Sequence, residues 1–177
     1  MEKPSYLGLL NALAVAETAA EPLFETWAAT TSDKKLAKEL RFVAMREGEH
    51  GKAFAKRMLE LGYEVRTPPS LDRQAEALVT AAGSMSDSEK FRALGVHQPP
   101  GETDVFDSMF VDKTIDPITG ALLGRYIAEE RDSARRLAAQ YERIAAKEGA
   151  VTPETPASAR TKKSSRPKKP NKKSNET

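Results

Sequence analysis

An all-α protein built as a helical bundle is what this chain predicts, and three observations carry the prediction. Apolar residues recur at spacings of three and four through Leu10, Leu13, Ala20, Phe24 and Trp27, and again through Leu36, Leu40, Val43, Phe54, Met58 and Leu61. Only Thr31-Ser32-Asp33 separates those two stretches, so the helices they form must be antiparallel neighbours. A third long periodic stretch opens at Asp116-Pro117, where Asp is a good N-cap and Pro is tolerated at the first helical position.

The first helix is expected over 5–30. Its one irregularity is Pro22, which frees the carbonyl of Thr18 and predicts a kink or bulge one turn beyond Glu17. Lys3, the apolar stretch from Leu7 to Ala16 and the triplet Ala14-Val15-Ala16 mimic a secretory leader. Asn11 interrupts that stretch and Glu2 offsets Lys3, so the segment reads as the start of the helix. No run approaches the roughly 20 apolar residues that span a bilayer, so no membrane partner is expected.

Thr31-Ser32-Asp33 caps the second helix, which Gly62 stops. Thr67-Pro68-Pro69-Ser70 then breaks the pattern, and 71–82 is a short helix. Ser86-Asp87 caps another, ending before Gly95, and 103–113 is a further helical piece with Val105, Phe106, Met109 and Phe110 as its apolar positions. The last long helix runs to about Glu148 on a seam of Thr119, Leu122, Leu123, Tyr126, Ile127, Glu130, Ser133, Leu137, Tyr141 and Ile144, which leaves Glu129 off the apolar face.

With 177 residues and 39% apolar content, one good core is the natural count: a bundle over 1–149 and a tail over 150–177. The tail carries a charge of +6 and the body −4, which the overall +2 conceals. Its Pro, Ser, Thr and Lys content leaves almost nothing to bury, so it is expected to be disordered. Lys162, Lys163, Arg166, Lys168, Lys169, Lys172 and Lys173 are spaced by prolines and serines without aromatics. They can neutralise phosphates and cannot read bases, so nonspecific nucleic acid is a candidate partner, with acidic protein surfaces as the rival. The absence of cysteine fits the cytoplasm and excludes a disulfide framework and thiolate metal sites.

The chemistry-bearing motif is Glu47-Gly48-Glu49-His50, a Glu-x-x-His pair on the apolar seam of the second helix. Residues three apart project from one helix face, so a carboxylate and an imidazole there can share one ion. Counted outward from the turn, Glu17 lies about as far before it as Glu47 lies after it, whereas Glu21 matches less well and Glu49 is off the seam. Glu130 occupies the seam of the last helix, and the four together form a candidate cluster of three carboxylates and one imidazole. Without cysteine, such a site suits iron, manganese or zinc.

These residues resemble the ferritin-like superfamily, especially its rubrerythrin-like members, well over 5–62 and partly over 115–148. The resemblance implies a four-helix bundle with an irregular third-helix region and a di-iron carboxylate site. In it Glu17 would be a terminal ligand, Glu47 and Glu130 bridging carboxylates and His50 a terminal imidazole. It also implies oxidation of Fe(II) by oxygen or peroxide, with Tyr126 as a neighbouring hydrogen donor or a packing residue. Two departures stand out. Ser133 occupies the place of the family's second histidine, and the third-helix ligand has only His97, Glu102, Asp104 or Asp107 near the right height. No cysteine-rich rubredoxin module is present in this sequence. The rival expectation is a metal-free bundle in which His50 bonds Glu17 or Glu47, an interaction scaffold with a basic tail. A homodimer covering apolar residues of the short third helix is a further expectation.

Overall fold

The computed structural model describes residues 3–98 and 112–150, and among them there are five helices and no strand. These are α1 (Leu7–Thr30), α2 (Lys34–Glu60), α3 (Asp72–Ala82), α4 (Asp87–Ala93) and α5 (Pro117–Ala150). The helical piece expected at 103–113 falls on 103–111, outside the described residues, apart from Asp112 and Lys113, which are not helical. Residues 151–177 also lie outside them.

α1 keeps its helical course through Pro22, where a bulge was expected. Pro22 faces solvent while Phe24, Trp27 and Ala28 beyond it are buried, and that burial offsets the ~3 kcal/mol that an interior proline costs. By length and composition α1 is also long and apolar enough to cross a membrane, against the reading of its sequence, even though Glu17 and Glu21 lie within it. Here Leu10 and Trp27 on α1 are fully buried within the protein.

The Asp33 side chain caps α2, accepting from the Lys35 and Leu36 amides at 3.0 Å each. At the other end Gly62, with φ +83°, takes the left-handed turn that lets the Tyr63 amide close back onto the Met58 carbonyl at 2.9 Å. α4 starts on a capping box between Ser86 and Glu89.

Two ion-pair networks set how α5 lies. Near its start, Arg57 Nε of α2 donates to Thr119 Oγ1 at 2.8 Å and Arg57 Nη2 to Asp116 Oδ1 at 2.9 Å, while Tyr6 Oη donates to Asp116 Oδ2 at 2.7 Å. Near its end, Arg143 forks onto both oxygens of Asp33 at 2.7 and 2.9 Å. α5 is therefore antiparallel to α2 and parallel to α1. α3 packs on α1, α4 on α5, and the two short helices meet at the end of the bundle near the α1–α2 turn.

There the rings of Trp27 and Phe91 meet edge to face at 4.7 Å, and Leu36, Leu40, Leu137 and Ile144 complete the cluster. A second apolar cluster of Leu10, Phe54, Met58, Leu123 and Tyr126 fills the opposite end. Glu17, Glu47 and His50 are buried, at 6%, 5% and 5% exposure, in the layer between them. Burial of three such groups away from water demands a physical reason.

The end networks make stability pH-dependent. Arg143 beside Asp33 holds that carboxyl well below the ordinary range; at Asp116, burial opposes the shift, but bonds from Thr119, Tyr6 and Arg57 overcome it. A depressed folded-state pKa stabilises the fold above the unfolded value of about 3.9, and the contribution is lost as pH falls through that value toward the folded one. The urea midpoint is therefore expected to fall as pH drops below about 4 and to go on falling toward the folded-state values. Asp33→Asn keeps the cap but loses the charge, so it should flatten that drop.

Candidate metal centre

Three helices each bring part of the cluster. Glu47 and His50 stand one turn apart on α2, Glu17 comes from α1 and Glu130 from α5, and one ligand atom from each lies within 4.8 Å of all the others. All four sequence-predicted residues thus meet. His50 Nδ1 faces inward, 3.3 Å from Glu130 Oε1 and 3.8 Å from Glu17 Oε2. His50 Nε2 points outward to Glu129 Oε2 at 2.7 Å.

The inward atoms are the informative ones. Glu17 Oε2, His50 Nδ1 and Glu130 Oε1 are buried and make no hydrogen bond, although they are close neighbours. An unsatisfied buried polar atom costs about 1–3 kcal/mol, and native structures hold few of them. Here three converge on one spot, two carboxylate oxygens and an imidazole nitrogen that offers a lone pair once deprotonated. Their donor types, carboxylate oxygen and imidazole nitrogen, suit iron, manganese or zinc. On this observation the residues fit a metal ion.

Burial, then Glu17 and the charge of Glu130, push the Glu47 carboxyl up to about 11, so that it holds a proton at neutral pH. Burial also raises Glu130. Burial would raise Glu17 too, but the neighbouring His50 imidazole, Glu47 and the Tyr126 hydroxyl outweigh it and lower its pKa. For His50, burial acts downward, but Glu130, Glu17 and Glu129 together push it up to about 10. Metal-free, the cluster holds protons where a cation would hold the charge.

Glu129 was read from the sequence as off the apolar face, and the structure corrects this. Its backbone sits beside the seam, yet its side chain, 25% exposed, swings back to His50 while Arg125 Nε donates to its other oxygen at 2.9 Å. The long carboxylate stem reaches further than helical periodicity counts. The bond to Glu129 holds a proton on Nε2 and turns Nδ1 inward, where loss of its own proton would offer a lone pair to an ion, the usual outer support of a metal-bound histidine. Glu129→Gln should lower metal affinity by about 10–100-fold without abolishing binding, measured by competition with a chromogenic chelator.

Tyr126 donates its hydroxyl to Glu17 Oε1 at 2.8 Å, which leaves Oε2 as the inward oxygen. Its ring also packs edge to face on His50 at 5.0 Å and on Phe54 at 5.1 Å. The rival expectation of a direct His50 hydrogen bond to Glu17 or Glu47 does not hold: His50 bonds Glu129. Glu49 is exposed, and Glu21 instead lays its carboxylate against Gly48.

Gly48 and Gly51 escaped the sequence reading. Two glycines inside a helix cost about 1 kcal/mol each against alanine, a signal of close backbone approach. A Cβ on Gly51 would sit 2.5 Å from Thr18 Oγ1 and 2.9 Å from the Thr18 nitrogen, so this glycine is what lets α1 come near enough for Glu17 to join α2.

His97 packs on Tyr141 at 5.5 Å, and Tyr141 stands eleven residues along α5 from Glu130, roughly 16 Å at 1.5 Å per residue. His97 is thus no member of the cluster. Glu102, Asp104 and Asp107, and the tail from Lys162 to Lys173, lie outside the described residues. Fold and site together define an all-α chain with a buried carboxylate–imidazole cluster at its centre. Comparison of the chain with protein-family models, with curated proteins and with solved structures returns no match.

Proposed function

We propose that this chain is a metal-binding helical bundle of the ferritin-like kind, which holds iron through Glu17, Glu47, His50 and Glu130 and oxidises it with oxygen or peroxide. The observation that carries the reading is the convergence of three buried, unbonded ligand atoms from α1, α2 and α5 on one point. In this reading α1, α2 and α5 supply three helices of the bundle and the α3–α4 region stands for an irregular fourth, which their packing on α1 and α5 supports.

Iron, when bound, supplies redox exchange between Fe(II) and Fe(III). The chain's own part is to present ligands and to order their protons. Glu17 is held by the Tyr126 hydroxyl and His50 by Glu129, so each directs one chosen atom inward. Glu47 and the imidazolium of His50, which carry protons when metal-free, must each release one on binding. The rings of Tyr126 and Phe54 wall the site on one side and limit the entry of water.

Metal analysis of untagged protein, followed by anaerobic Fe(II) titration and admission of air, tests the reading. Saturable binding followed by absorbance of Fe(III) is the expected result. Failure to bind Fe(II), Mn(II) and Zn(II) alike would sink it and leave a helical scaffold.

A further inference from the structure

A guanidinium lies beside the cluster. Glu47-x-x-His50 on α2 and Glu130-x-x-Ser133 on α5 repeat one spacing on two antiparallel helices, with Ser133 standing where the repeat would put a second imidazole. Ser133 is buried, at 3% exposure. Into this place reaches Arg46, the residue before Glu47. Its Nη1 donates to Ser133 Oγ at 3.2 Å, to Asp132 Oδ2 at 2.8 Å and to the Glu129 carbonyl at 3.1 Å. Its guanidinium also lies over the Phe42 ring at 4.4 Å, which fixes it from the other side.

From this arrangement we infer that the site holds one divalent metal ion per chain, with the Arg46 guanidinium taking the place and the charge of a second. The inference rests on the metal reading above and deepens it. Charge supports it: one divalent ion and one guanidinium supply three positive charges against the three carboxylates of Glu17, Glu47 and Glu130. Of the neighbouring acids, Glu129 pairs with Arg125 at 2.9 Å, and Asp132 is shared by Arg46 and Arg136, each at 2.8 Å, Arg136 also pairing with Glu39 at 3.2 Å. A second divalent ion would leave buried positive charge uncompensated, with no second imidazole to hold it.

Equilibrium dialysis of the full chain against Zn(II) and, without oxygen, against Fe(II), with metal and protein both quantified, tests the inference. One ion per wild-type chain is expected, rising to two in the double variant Arg46→Met with Ser133→His. Two ions per wild-type chain would overturn the inference while leaving the metal reading intact, and a double variant that folds but stays at one would show that Arg46 and Ser133 do not set the number. No ion in the wild type would remove the metal reading, and the inference with it. If the double variant does not fold, the wild-type count decides alone.

Discussion

Replacing His50 with alanine is expected to abolish stoichiometric metal binding, with affinity falling by more than the ~100-fold that marks the loss of an outer supporting residue. His50 contributes the one nitrogen ligand, and its Nδ1 lies between oxygens of Glu17 and Glu130 at 3.8 and 3.3 Å. Without it three carboxylates remain around the site, and the ion loses both a ligand and the group that spaces two of the others. Glu49→Ala should leave binding unchanged, because Glu49 is exposed on the far side of the same helix turn. The comparison is read from metal content after dialysis and from titration of the metal-free chains. Equal losses in the two variants would mean that the ion, if bound, sits elsewhere on α2.

Gly51→Ala is expected to destabilise the fold by about 1–3 kcal/mol, the usual cost of overpacking. The added Cβ would meet backbone as well as side chain, the Thr18 nitrogen at 2.9 Å and its Cα at 3.2 Å. Thr18 Oγ1 cannot simply rotate away, since it donates to the Ala14 carbonyl at 2.7 Å. α1 must therefore move off α2, and Glu17, next in sequence to Thr18, moves with it. The same substitution should accordingly weaken metal binding.

Gly48→Ala is the internal control. Its Cβ would meet only the Glu21 carboxylate, at 2.5 Å, the far end of a flexible side chain that can swing aside. With the ~1 kcal/mol that alanine gains in helix propensity, this variant should be close to neutral. Chemical denaturation of both variants checks the contrast, and a Gly51→Ala protein as stable as Gly48→Ala would show that the helices are not in forced contact there.

Much of this was legible in the chain because helices repeat. The spacing of Leu36, Leu40, Val43, Glu47, His50 and Phe54 puts a polar pair on an apolar stripe, and a connection of a few residues forces α1 beside α2 with Glu17 near Glu47. Periodicity also placed Glu130 on the buried face of α5 and Glu49 in solvent, and both lie there.

Other features depend on what a side chain can reach, which spacing does not encode. Glu129 and Glu130 are adjacent and of the same type, yet one joins the cluster and the other reaches round to the outer nitrogen of His50. Spacing put Tyr126 on the buried face of α5, but not that its ring packs on Phe54 while its hydroxyl bonds Glu17. Arg46 reads as a surface charge beside the motif, and only the approach of α5 shows that its guanidinium ends on Ser133.

Local sequence by itself determined the helices, their caps and which face of each is buried, because those follow from interactions within a few residues along one chain segment. Tertiary structure alone decided which atoms of Glu17, His50 and Glu130 are left without partners, and which cation stands beside them. Those outcomes are set by distances of 3 to 4 Å between side chains from three different helices, where an error of one ångström removes a hydrogen bond or creates one.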